Sequence, residues 1–205
     1  MTLSDAVGLT ETQERRIVRG LQLALVALLG YGAATIQFAI TGTAGLALGI
    51  TLLPAWLRRE YGYSMDAGLI LWITAAVILH TGGSLWLYET YQWYDEIAHT
   101  VSASVIAGLG YAAFRAFELH SDEMNVPSTF RSVFIVVFVL ATGVIWEVLE
   151  FALGGVVVTV YGIDDIVTDF VFNTVGAMIV AIWGTDYVGE LIKFFRQRLR
   201  SKPEN

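Results

Sequence analysis

Asp164-Asp165-Ile166-Val167-Thr168-Asp169-Phe170-Val171-Phe172-Asn173 opens an apolar run that continues to about Gly189. Asp165, Asp169 and Asn173 recur every four residues, so a helix places all three on one face and leaves the rest of its surface apolar. Such a helix suits a bundle in lipid, where a polar stripe turns inward because lipid exposure of ionisable groups is costly. Two other stretches have the same design. In Tyr94-Asp95-Glu96-Ile97-Ala98-His99 the polar pair Asp95 and His99 is four apart, and in Trp146-Glu147-Val148-Leu149-Glu150 the two glutamates are three apart. Three polar faces on three greasy helices will seek each other.

Composition agrees with a membrane setting. The 205 residues are 56% hydrophobic and only 15% charged, with a mean hydropathy of +0.62, whereas soluble domains carry about 25% charged residues. This reads as an all-α, multi-pass protein of the cell membrane whose first partner is the lipid bilayer. A net charge of −7 and the absence of a basic stripe with interleaved aromatics exclude nucleic acid as a partner. There is no cysteine, which removes disulfides, thiolate metal sites and cysteine nucleophiles together.

Six spans are expected in a single membrane domain, residues 1–205, at about 21–40, 44–57, 67–88, 95–117, 130–158 and 165–189, each measured against the roughly 20 residues that cross hydrocarbon. A polar segment, 1–16, precedes them and a basic tail, 193–205, follows. The first apolar run is too long and begins too late for a cleaved signal peptide. Thr41-Gly42-Thr43 reads as a tight turn. The second run, with Pro54 near its end, is thin for a span and could be a short helix or a re-entrant piece.

The basic residues choose between those two readings. Arg15, Arg16 and Arg19 precede span one, Arg58 and Arg59 follow span two, Arg115 and Arg131 flank the loop between spans four and five, and the other five lie in the tail. With six spans all twelve fall on one side, which the positive-inside rule makes cytoplasmic together with both termini. Trp86, Tyr88, Tyr91, Trp93 and Tyr94 then form an aromatic belt at the outer interface.

The same topology gathers Glu89, Asp95, Glu96, Glu147, Glu150, Asp164, Asp165 and Asp169 in the outer half without one lysine or arginine to pair them. A desolvated carboxylate must be protonated, paired or given a metal. Only His80 and His99 are available there as cationic side chains. Blander roles exist for several of these groups: Asp95 and Asp165 as helix N-caps, Glu89, Glu96 and Asp164 as solvated acids, His80 and Asn173 as interhelical hydrogen-bonding groups. Glu147, Glu150 and Asp169, well inside spans at insertion costs on the order of 2 to 3 kcal/mol each, point to a functional interior. Candidate ligands of a metal are therefore His80, Asp95, His99, Glu147, Glu150, Asp165, Asp169 and Asn173. Glu147, Asp169 and His99 are the candidate catalytic groups.

His80-Thr-Gly-Gly83, Tyr94-Asp95-x-x-x-His99, Glu147-x-x-Glu150 and Asp165-x-x-x-Asp169 together resemble the inner-membrane proteins of the YjdF-like type. More distantly the set resembles the VanZ-like superfamily, through Asp169-x-x-x-Asn173-x-x-Gly176, although Glu96 stands where that pattern has a lysine and Glu150 where it has a glutamine. The resemblance covers roughly residues 70–180. It implies an architecture and a residue set but names no reaction.

Two classes of function follow, and a third that is merely structural. The first is an outward-facing intramembrane site, as in a metal-dependent enzyme acting on a lipid or envelope component, and carboxylates with imidazole suit Mg, Mn, Zn or non-haem Fe. Glu96-Ile-Ala-His99 matches one Glu-x-x-His element of di-iron bundles, which need two. The second is a proton- or cation-coupled transporter or channel, against which stand the small number of spans and the lack of an internal repeat. The third is a scaffold whose acids lock helices together. Small residues from Gly20 to Ala34 are the sole hint of close helix contact between copies, so a monomer or weak dimer is expected.

Overall fold

The computed structural model describes residues 8–121, 124, 126–154, 162–183 and 188–200. Helix α1, Glu11–Ala34, starts where Thr10 and Gln13 form a reciprocal capping box, Gln13 Oε1 accepting from the Thr10 N–H at 2.8 Å. The polar segment is thus continuous with the first span from Glu11 on; residues 1–7 lie outside the described set. α1 ends at a turn in which Ile36 takes φ 56° and the Gln37 N–H reaches back to the Gly32 carbonyl at 2.8 Å, the six-to-one bond of a Schellman motif.

That turn corrects the boundary expected at Thr41-Gly42-Thr43, which lies within α2, Phe38–Tyr61. The two threonines return their hydroxyls to the carbonyls of Gln37 and Ala39 at 2.8 and 2.9 Å, so their polarity is satisfied inside a helix. The break comes earlier because Gly32 admits α2: a Cβ there would lie 2.7 Å from Thr41 Oγ1 and 2.9 Å from its backbone nitrogen. α2 therefore has 24 residues rather than the short run 44–57. At 1.5 Å per residue that is about 36 Å, enough to cross. Pro54 is accommodated within it, and Gly62 at φ 63° closes it by donating to the Arg58 carbonyl at 3.0 Å.

α3, Ala67–Gly82, is capped by Asp66, which accepts from the Leu69 N–H at 3.2 Å. It runs through a π-helical turn, Gly83–Leu87, kinked at Trp86, into a last turn, Tyr88–Thr90. After an extended Tyr91 come α4, Gln92–His120, and then α5, Ser128–Leu153, which begins behind Pro127. α6, Ile163–Trp183, follows Gly162 at φ 126°. The span expected at 130–158 thus ends earlier, at Leu153, while the described part of the one expected at 165–189 runs to Trp183 and residues 155–161 and 184–187 lie outside the described set.

Among the described residues the architecture is all-α, with α1 to α6 long and apolar enough to cross a membrane. The chain is a multi-pass membrane protein. Its expected basic tail is instead largely a seventh helix, α7, Gly189–Arg200, with 201–205 outside the described set. Phe194 stacks on Tyr63 at 4.3 Å between ring centroids, and Arg198 lies 4.2 Å over the Tyr61 ring. Burial of Leu191 with Met65, Leu69 and Ala112 anchors α7 beneath α3 and α4. A helix with basic and apolar faces gains more by covering apolar side chains than by trailing in water.

α4 is the hub of the bundle. Ala98, Ala103, Ala107, Ala112 and Ala116 along it are all buried, and small side chains let neighbouring backbones come close. α6 uses that freedom fully, since a Cβ on Gly176 would strike the Thr100 carbonyl and lie 2.8 Å from the Ala103 Cβ. α5 meets α6 in the same way at Gly143, where a Cβ would be 3.1 Å from both Asn173 Nδ2 and Phe170 Cε1. These two contacts bring the polar faces of α4 and α6 together, with α5 beside them.

Candidate metal centre

Asp95, His99 and Asp169 converge at the end of the bundle remote from α7. One ligand atom from each lies within 4.8 Å of the others, with His99 and Asp169 buried and Asp95 half-buried. His99 Nε2 is 3.5 Å from Asp95 Oδ1 and 3.4 Å from Asp169 Oδ1. The i to i+4 spacing in α4 stacks Asp95 above His99, while the close approach at Gly176 brings α6 in at the height where Asp169 meets them. His99 lies seven residues into α4, roughly 10 Å below its start.

The second imidazole nitrogen defines what the first can do. His99 Nδ1 is 3.4 Å from Asn173 Oδ1, an acceptor, so Nδ1 carries the proton and donates it to the amide oxygen. In the neutral ring Nε2 then turns a lone pair toward two carboxylates. Three electron-rich atoms facing one another in a buried site need positive charge between them, either a proton or a metal ion. Two ligand atoms about 2.1 Å from a metal at angles between octahedral and tetrahedral stand roughly 3.0 to 3.4 Å apart, a window the His99–Asp169 pair meets and the His99–Asp95 pair slightly exceeds.

His80 stands next to this cluster, its ring centroid 5.2 Å from that of His99. Its nitrogens are both engaged, Nε2 with Ser102 Oγ at 2.9 Å and Nδ1 with Tyr88 Oη at 2.7 Å. It is therefore a supporting group rather than a member of the close set. Asn173, buried, likewise supports through His99 instead of offering a fourth ligand atom.

Glu147 and Glu150 are half-buried on the inner side of α5, whereas Val148, Leu149 and Phe151 on the other side are exposed to the lipid. They and Asp165 lie within electrostatic range of Asp95 without entering the close set. One oxygen of Glu147 is buried without a hydrogen-bond partner among the described residues. Neither Asp95 nor Asp165 is a helix cap: Tyr91 caps α4, and the backbone of Gly162 accepts from Ile166 at 3.2 Å. No lysine or arginine occurs between Arg59 and Arg115 or between Arg131 and Lys193, so every one of these acids sits on a stretch without fixed cations.

Tyr88 and Tyr94 belong to this site and not to the aromatic belt expected of them. Tyr88 holds His80, and Tyr94 donates to the Leu79 carbonyl at 3.1 Å, while Trp86, Tyr91 and Trp93 remain exposed as a belt requires. The π turn is the cause, because one extra residue per turn rotates Tyr88 back over α3, and its ring occupies the space a Cβ on Gly83 would take. Gly82 and Gly83 beside His80 were the signal available in the sequence. Ser102 carried none.

Six spans around a buried cluster of aspartate and histidine define a polytopic membrane protein with a polar interior. The chain belongs to the family described as Predicted membrane protein (DUF2238), which matches residues 17–190. Comparison with curated proteins and with solved structures finds no match.

Proposed function

We propose that Asp95, His99 and Asp169 bind a divalent cation and that the protein is a metal-dependent membrane enzyme acting on a lipid or envelope component. The observation that supports this best is the His99 ring, directed by Asn173 so that its Nε2 lone pair meets two carboxylate oxygens at 3.4 and 3.5 Å. One imidazole with two carboxylates and no sulfur suits Mn, Zn or Mg. A bound ion would polarise a substrate oxygen as a Lewis acid. Glu147 and Glu150, near the cluster but outside it, are placed to exchange protons with a substrate, and a depth of about 10 Å from the helix start is close to lipid headgroups. The YjdF-like resemblance rests on these same residues, and the positive-inside rule directs the site to the outer leaflet.

Elemental analysis of detergent-purified protein tests the reading. About one equivalent of a divalent metal per chain is expected, lost in Asp169→Asn and in His99→Ala but retained in an exposed-residue control such as Glu89→Gln. Metal-free protein that drives cation-dependent uptake into proteoliposomes would replace the enzyme with a transporter. Headgroup-resolved lipid analysis of a deletion strain would narrow the substrate.

A further inference from the structure

A cavity of about 180 Å³ lies at the opposite end of the bundle between α1, α2 and the start of α3. Arg15, Arg19 and Arg58 line it together with Gln22, Thr51 and Ser64, and no acidic residue lines it. Of the acids nearby, three have other partners, while Glu14, buried on α1 one turn before Val18, keeps one oxygen without a hydrogen-bond partner among the described residues and does not line the cavity. Glu11 holds Arg15 at 2.6 Å, Glu60 pairs with Arg59 at 3.7 Å, and Asp66 caps α3. Arg19 and Arg58 make no ion pair among the described residues.

The polar groups of the wall are bonded among themselves, Gln22 Nε2 donating to the Thr51 carbonyl at 3.1 Å and the Thr51 hydroxyl to that of Leu48 at 2.9 Å. The guanidinium groups of Arg19 and Arg58 have no protein partner among the described residues, whereas Arg15 is held by Glu11. Arginine carries five N–H donors and no acceptor, in a fork that matches phosphate oxygens. Arg15 and Arg19 enter the first span and Arg58 leaves the second, so the cavity stands at the level of the phosphates in that leaflet, where basic pockets between spans recognise anionic headgroups.

We propose that this cavity binds a phosphate group, carried by an anionic lipid of the leaflet on the basic side or by a soluble phosphate ion. The test uses the full chain, reconstituted into nanodiscs made from equal parts phosphatidylglycerol and phosphatidylcholine, with the retained lipid measured after delipidation. Phosphatidylglycerol should be enriched, with the enrichment falling about fivefold for each arginine removed in Arg19→Gln and Arg58→Gln. Arg59→Gln, an equal change of charge outside the cavity, should leave it intact. If a glutamine variant does not elute as a single species, Arg19→Lys or Arg58→Lys replaces it, with a smaller loss expected because charge remains and the fork is gone.

A parallel arm compares melting in millimolar inorganic phosphate and in chloride of equal ionic strength, without anionic lipid. Stabilisation by phosphate that depends on Arg19 and Arg58, with no lipid preference, assigns the cavity to a soluble ion; lipid preference alone assigns it to a headgroup. The proposal is overturned if the unmodified chain shows neither effect, or if Arg59→Gln loses as much as Arg19→Gln.

Discussion

His99 is the side chain on which the candidate centre depends, because its two nitrogens face opposite requirements. Asn173 accepts the Nδ1 proton, which leaves Nε2 to share a cation with Asp95 and Asp169. Replacing Asn173 by alanine removes no ligand atom but frees the ring to rotate or change tautomer. A supporting group of this kind commonly accounts for 10- to 100-fold in metal affinity. Asn173→Ala should therefore keep the fold and weaken metal binding by about that factor, read by competition with a chelator, whereas His99→Ala should abolish stoichiometric binding. Equal metal content and affinity in Asn173→Ala and the unmodified chain would remove Asn173 from the site. His80 differs in kind: its hydroxyl partners Ser102 and Tyr88 already satisfy it. Tyr88→Phe should leave metal content unchanged while lowering stability by about 1 to 3 kcal/mol, the usual cost of stranding a buried polar group.

Among the helices, the pairing of α4 with α6 decides whether the centre exists. Gly176 meets the backbone of Thr100 and the Cβ of Ala103 with no room for a side chain. Gly176→Val should force the two helices apart, lowering the melting temperature in detergent through an overpacking cost of about 1 to 3 kcal/mol and separating Asp169 from His99. Gly49, on the outward side of α2 with open space around its Cα, is the control; Gly49→Ala should be neutral or slightly stabilising. A Gly176→Val protein as stable and as metal-replete as the unmodified chain would mean that close approach is not what assembles the centre. The π turn makes the matching point within a single helix. Without it Tyr88 would face the headgroups beside Trp86, and His80 would lose one of its two partners.

For the molecule as a whole, the separation of charge is the dominant feature: a buried acidic cluster at one end and, among the described residues, every lysine and arginine toward the other. From the positive-inside rule we expect the basic end to face the cytoplasm. Reporter fusions after Tyr91 and after Gly162 should both report the outside, and a cytoplasmic signal from either would overturn that orientation. Lipid satisfies the large exposed apolar surface, from Leu23 on α1 to Phe151 on α5, and of the glycines on α1, Gly20 and Gly30 face open space. We expect a monomer or weak dimer. Capture of a stable higher oligomer by crosslinking in native membranes would contradict this.

Residue order by itself determined that the chain is a six-span all-α membrane protein and that its polar stripes turn inward. Hydrocarbon thickness and the cost of exposing charge to lipid act on local composition and on a 3.6-residue period, both of which can be read along a single strand of text. Asp95, His99 and Asp169 were legible as candidates for the same reason, since each sat at helical spacing from another polar group in an apolar run. Which candidates meet was decided only by the tertiary structure. Gly176 and Gly143 set the depth at which α4, α5 and α6 cross, and a crossing depends on side chains distant in sequence. Helix ends were decided there too: Thr41-Gly42-Thr43 has turn chemistry in isolation, but those hydroxyls found carbonyls one turn back, and the break moved to where α2 could close on Gly32. Tyr88 was misplaced because a π turn shifts the phase of every residue after it, and a fixed helical period carries no sign of that shift.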